Sequence, residues 1–159
     1  MCSHQKNLIL YASKIISLHS HYHLVRLYTM DKNLSVNWFK QSEYDFKSAK
    51  SNAEIGNHAL ACFLAYESTV KIVSGYLYNQ GAEFVWGSSL SDLCEDAMVF
   101  DPSFDLVKSV AMLLDKYCLP TRFPTNLPGD PPYEVYDNND SSRAIEIADE
   151  VIKTIKSRL

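Results

Sequence analysis

The chain has 159 residues, a formal charge of −4 and a pI near 5.7, with 47% hydrophobic and 21% charged residues. That is one domain's length, enough to bury a core without disulfide staples, and 5 Gly and 6 Pro are too few for a collagen or a linker array. The acidic balance excludes a general nucleic-acid coat, whose affinity comes from many Lys and Arg contacts to phosphate, but leaves room for a local basic patch. No uninterrupted apolar run of about 18 residues exists to span a membrane, and with no secretory signal the expected location is the cytoplasm.

Residues 1–30 differ from the rest. They hold Lys6, Lys14 and Arg26 without one Asp or Glu, so they carry +3 while the remainder carries −7, and they contain four of the five histidines. This segment reads as an upstream extension, with translation expected to start at Met30 and the domain proper spanning residues 31–159. A mitochondrial presequence is the rival reading, for which one Arg in thirty residues is thin. His19, His21 and His23 alternate, which spreads them around a helix, and no nearby carboxylate completes a metal site. No metal and no cofactor are expected.

From Asn33 to about Ile55, Trp38, Phe39, Phe46, Ala49 and Ala53 recur at helical spacing, and Gly56-Asn57 is a stop signal. His58 to Tyr78 is apolar nearly all round, so a second helix there must be covered on several sides, either as the centre of a bundle or as part of a self-association surface. Gly81 and Gly87 flank the apolar patch Phe84-Val85-Trp86 in a connecting loop. Ser88 or Ser89 caps a short third helix through about Val99, with Asp92 in its first turn. Leu106, Val107, Val110, Leu113, Leu114 and Tyr117 form the next helical stripe, which halts at Pro120.

Residues 119–137 carry five prolines and Gly129, so they are expected to form a long irregular loop, a kind that is usually functional or disordered. Ser141 then caps a final helix with Ala144, Ile145, Ala148, Val151, Ile152 and Ile155 on its apolar face. The predicted fold is all-α: an up-and-down bundle of about five helices with a Pro-rich loop before the last. Cys2, Cys62, Cys94 and Cys118 show no metal-ligand spacing and read as reduced thiols, with a Cys94 to Cys118 bridge left open.

There is no phosphate-cradling Gly-rich loop, no His-Glu-x-x-His and no Gly-x-Ser-x-Gly, and beyond residue 30 the sole histidine is His58, which reads as a capping or surface residue. Glu67 and Lys71 are the only acidic and basic residues of the second helix. Four apart, they make either an ion pair at a rim or a contact to a ligand or a dimer seam. Arg122, between Pro120 and Pro124, is held in a way that suits bidentate binding of phosphate or carboxylate; a docking salt bridge to Asp115 or to a carboxylate of the first two helices is the alternative. Tyr117, Phe123, Tyr133 and Tyr136 either stack a base or pin the loop to the core.

Read in order, Trp38, Phe46 and Ala49, then Ala61-Cys62-Phe63 with Glu67-Ser68-Thr69-Val70-Lys71, Gly81, Ser89-Leu90, Asp115-Lys116-Tyr117, Thr121-Arg122-Phe123-Pro124, Pro132-Tyr133 and finally Ala144 and Ala148 resemble the HEPN domain family over about residues 35–157. The resemblance implies a helical bundle that often dimerises, with a nucleotide or RNA as ligand, and in many members a small nucleotidyltransferase partner in a toxin–antitoxin pair. Other members are ribonucleases carrying an Arg followed about four to six residues later by a His. Here Phe-Pro-Thr-Asn-Leu-Pro follows Arg122 and no histidine occurs later, and Ser88-Ser89-Leu90 replaces the family's His-Ser-Leu. The expectation is therefore a non-catalytic nucleotide-, RNA- or partner-binding module, a homodimer, with Arg122, Lys71, Glu67, Tyr117 and Tyr133 as its candidate ligand residues. The alternative is a metal-independent endoribonuclease that uses Arg122.

Overall fold

The computed structural model describes residues 34–159, so the expectations for the first thirty residues fall outside it. The described residues are helical, with no strand among them, as the spacing of apolar positions requires. α1 runs over residues 34–54 and α2 over His58–Asn79; α3 is Leu90–Met98, and α4, Phe104–Ala111, tightens into a 3-10 turn, Met112–Tyr117. The Pro-rich stretch is not wholly irregular, since it contains a 3-10 turn at Pro124–Asn126 and a one-turn helix α5, Pro132–Val135. In both, proline occupies an N-terminal position whose missing N–H costs nothing. α6, Asn138–Lys156, closes the chain.

α2 is the central post. It packs on α6 and α3 as well as on α1, and its stretch from Ser68 to Leu77 is buried except for Lys71. That half of α2 is thus the centre of a bundle, while nearer its start Leu60 is exposed and Phe63 and Leu64 are half-buried. Phe104, absent from the predicted stripe, is fully buried with its ring centre 4.5 Å from that of Tyr76, whereas Leu106 and Leu113 of that stripe lie exposed. Of the final helix's predicted face, Ala144, Ala148, Val151, Ile152 and Ile155 are buried and Ile145 is partly so, with Ile147 added. Cys62, Cys94 and Cys118 are free thiols, so no bridge joins Cys94 to Cys118. Burial pushes the Cys62 and Cys94 thiols up to about 12, which keeps them protonated and unreactive.

The buried stripe of α1 is Ser35, Ser42, Asp45 and Ala49, while Trp38, Phe39 and Phe46 are half-buried. These small residues let α1 lie close to α2, and the Ser42 hydroxyl donates to the Ser68 carbonyl at 2.7 Å. Gly75 marks the tightest approach: a Cβ there would meet the Phe39 ring at 2.6 Å and the Trp38 Cβ at 3.2 Å. Gly75→Ala is accordingly expected to cost about 1–3 kcal/mol through overpacking, despite alanine's better helix propensity, and a denaturant-unfolding midpoint below wild type checks it.

Capping departs from the prediction at one helix. α3 is capped by Ser89, which accepts from the Asp92 N–H at 3.4 Å, and Asp115 adds a second acceptor, taking the N–H of Leu90 at 2.7 Å and of Ser91 at 3.2 Å. The N-cap of α6 is Asp137 rather than Ser141: it accepts from the N–H groups of Asn139 and Asp140, while the Asp140 carboxylate returns to the Asp137 N–H. Asp three residues before Asp satisfies the reciprocal cap, and Ser141 is released to a buried position inside the helix.

Candidate functional site

The Pro-rich segment packs against α2 and is braced by contacts within itself. The Tyr117 ring is buried and meets Tyr136 edge-on at 5.9 Å, so both tyrosines pin the segment to the core. Burial also pushes the Tyr117 phenol above its ordinary value, so it carries no anion at neutral pH. The Thr121 hydroxyl donates to the Tyr117 carbonyl at 2.5 Å, and the N–H groups of Arg122 and Phe123 both reach the Leu119 carbonyl at 3.0 Å. These bonds set Arg122 at the rim with its guanidinium 4.8 Å from the Phe63 ring centre and 5.1 Å from that of Phe123. Among the described residues no carboxylate pairs with Arg122, so the alternative of a docking salt bridge to Asp115 or to α1 or α2 has no partner here.

Between this turn and the start of α2 lies a cleft of about 700 Å³. Its walls are Gly56, Asn57, His58, Ala59, Leu60 and Phe63 on one side and Thr121, Arg122, Phe123, Pro132 and Tyr133 on the other. α2 enters it uncapped: Asn57 makes no side-chain capping bond and the first turn holds no acidic residue, so the helix brings no carboxylate of its own to its positive end, although Asp137 and Asp140 of the α6 cap act on His58 and Cys62 there. Gly56, at φ +83°, turns the chain out of α1 and delivers that end. Arginine, an open helix N-terminus and exposed aromatic rings make a surface that favours a planar anion or a phosphate carrying a base.

His58 lies in the same cleft, a partner the sequence did not reveal because Ser141 is 83 residues away. Its Nδ1 lies 2.9 Å from the Ser141 hydroxyl, which itself donates to the Asn138 carbonyl at 3.2 Å. The Ser141 hydroxyl thus fixes the imidazole through Nδ1 and ties the start of α2 to α6. Asp137 is nearby, its carboxyl held below the usual carboxylate range by the N–H groups of Asp140 and Asn139, with His58 a smaller contributor.

The five sequence candidates divide. Arg122 and Tyr133 meet in the cleft, Tyr133 being 75% exposed there with its hydroxyl turned to Glu134. Tyr117 lies in the core behind the turn, its hydroxyl 3.4 Å from the Asp140 carbonyl. Lys71 and Glu67 stand elsewhere: Lys71 is eight residues beyond Phe63, about 12 Å along α2, and does not line the cleft. Its ammonium bonds Glu67 and reaches Asp45 of α1 at 3.0 Å, and Asp45 is held in turn by Gln41 at 2.7 Å. Burial by itself would push the Lys71 ammonium down, but the hydrogen bonds and charges of Glu67 and Asp45 outweigh it and leave its pKa raised. The pair foreseen at i, i+4 is thus a triad that ties α1 to α2.

Comparison with known proteins bears on what this bundle is. TT1696 from Thermus thermophilus superposes with a TM-score of 0.70 at 26% identity, over 80% of this chain and 99% of that one. ST0689, an archaeal HEPN homologue, gives 0.64 at 32% identity over 78% and 96%. A HEPN domain protein from Thermotoga maritima gives 0.60 at 23% identity over 76% and 95%, a likeness of fold. No curated protein matches significantly. The sequence profile of the HEPN domain matches residues 35–158, the whole bundle from α1 to the end of α6 with its Pro-rich turn, and the chain belongs to the HEPN domain family.

Proposed function

We propose that this chain is a nucleotide-binding HEPN module that holds the phosphate of a nucleotide or a short single-stranded RNA in the cleft between Arg122 and the start of α2. The observation that carries the reading is an arginine with no carboxylate partner among the described residues, facing an uncapped helix N-terminus across one cleft. An acidic chain binds phosphate only where its positive groups converge, and the reading is supported by Arg122 and the start of α2 lining one cleft. Exposed Phe123 and Tyr133 supply flat apolar faces for a base beside that phosphate. The test is thermal unfolding with ATP, GTP or a short RNA. A ligand at 100 times its Kd adds about 2.7 kcal/mol, which for a chain of this size raises Tm by roughly 5–10 °C. No rise at millimolar ligand would end the proposal.

His58 favours a second reading, the metal-independent endoribonuclease. The family's histidine is missing after Arg122, yet the His58 imidazole shares the cleft with that arginine. General acid–base help of this kind is worth about 10²–10⁴ in rate. If the reading holds, pure protein cleaves single-stranded RNA in the presence of a chelator, and both His58→Ala and Arg122→Ala lose the cleavage; intact RNA at high protein concentration rejects it. Family resemblance adds self-association and a nucleotidyltransferase partner to the proposal, for which sedimentation of the pure chain and co-purification from cells are the respective tests.

A further inference from the structure

The segment that carries Arg122 has a second face. Adjacent residues look into different depressions: Thr121 lines the cleft already described, while Pro120 lines another of about 410 Å³ that also takes in Ser88, Lys116 and Asn126. Lys116 is exposed, rests 4.7 Å over the Tyr117 ring and has no carboxylate partner among the described residues. Asp115, on the same wall, is already bonded to the N–H groups of Leu90 and Ser91. Beyond Ser88 the loop ends in two bare aromatic rings. Phe84 is 72% and Trp86 80% exposed, with ring centres 6.3 Å apart, and Trp86 lies two residues from Ser88, at most about 7 Å along the backbone.

This loop is held in place. Ala82 and Val85 pack on the core while Phe84 and Trp86 stay exposed, and the Tyr66 hydroxyl donates to the Ser88 carbonyl at 2.5 Å. A pre-set pair of exposed rings at the end of a path whose cations lack carboxylate partners has the elements of a single-stranded nucleic-acid groove, in which Lys and Arg follow phosphates and rings stack bases. Glu83 is the loop's one charge and opposes a phosphate, but it lies beyond Phe84, at the far end from Ser88.

We infer that the ligand of the Arg122 cleft is one end of a single-stranded oligoribonucleotide, which continues over Pro120 and Lys116 and stacks its further bases on Trp86 and Phe84. This rests on the nucleotide-binding reading and adds to it the course of the chain beyond the cleft, over Lys116 to the two rings. The test measures affinity for AMP and for a fluorescein-labelled RNA octamer in wild type, Arg122→Ala, Lys116→Ala and the double variant Phe84→Ala/Trp86→Ala. All these side chains are exposed, and unchanged Tm values confirm folding. The octamer is expected to bind wild type at least about tenfold more tightly than AMP. The double variant is expected to lose about tenfold or more for the octamer and nothing for AMP, Lys116→Ala to weaken the octamer and its salt dependence, and Arg122→Ala to weaken both ligands. AMP binding with an octamer no tighter, or an octamer indifferent to the loss of both rings, overturns the inference alone and leaves the rings to a protein surface. Failure of wild type to bind either ligand overturns the nucleotide reading and this one with it.

Discussion

Arg122→Ala should abolish the rise in Tm that nucleotide produces while leaving the unliganded protein almost as stable as wild type. Both halves come from the same geometry. Without ligand, the guanidinium makes no ion pair with the described residues and rests on Phe63 and Phe123, contacts worth about 0.5–1 kcal/mol at an exposed site. With a phosphate bound, two charge-assisted bonds worth about 1.5–3 kcal/mol each are lost, on the order of 10² or more in Kd. Arg122→Lys keeps the charge but loses the planar fork and its seat on the rings, so an intermediate affinity is expected. Calorimetric titration with ATP, beside thermal melts of each variant, measures both quantities. A variant that melts far below wild type would mean that Arg122 is a structural residue.

Lys71→Met should do the reverse. Removing the ammonium leaves Asp45, 7% exposed, and Glu67 close together between α1 and α2 without their counter-charge, at a cost of about 2–3 kcal/mol given that the triad is not fully sealed from water. Tm is expected to fall by roughly 5–10 °C while ATP binding stays within twofold. A further change of Asp45→Leu should restore much of the loss, since an apolar pair of similar volume replaces the buried charges. The pH dependence has a definite sign. Because the Lys71 pKa is raised above its ordinary 10.5, its stabilisation is fully present below that value and is lost as pH rises through the higher folded-state pKa. The gap in stability between wild type and Lys71→Met should therefore hold constant from neutral pH to about 10 and narrow only above it. Lost ATP binding at unchanged Tm would place Lys71 in the ligand site instead.

Sequence periodicity exposed the helices because their buried positions recur at helical spacing, and the α6 face is the clearest case. In α1 it found Ala49, Phe39 and Phe46, which are buried or pack on the core, but missed Ser35, Ser42 and Asp45: serine and aspartate count as polar in any hydrophobic pattern, although serine is small enough for a close helix contact and Asp45 is paired with Lys71. It also placed the α6 cap four residues late. Either an Asp or a Ser can cap a helix, and only the bonds between Asp137 and Asp140 decide which one does. Of the residues that line the candidate cleft, Arg122 and Tyr133 stood out in the sequence from their place in the Pro-rich run. The pairing of His58 with Ser141 and the meeting of α2's uncapped end with Arg122 depend on contacts between distant segments, which no local pattern encodes. Lys71 and Glu67 were visible as charges out of place in an apolar helix, and their partner Asp45 was hidden in the neighbouring one.

The most direct measurement is a two-dimensional amide NMR titration of isotope-labelled protein with ATP. Binding as proposed shifts the amides of residues 56–60, 121–123 and 133, with Arg122→Ala silencing those shifts at the same ligand concentration. Shifts centred on residues 67–71, or a spectrum unchanged at millimolar ATP, would contradict a phosphate site between Arg122 and the start of α2.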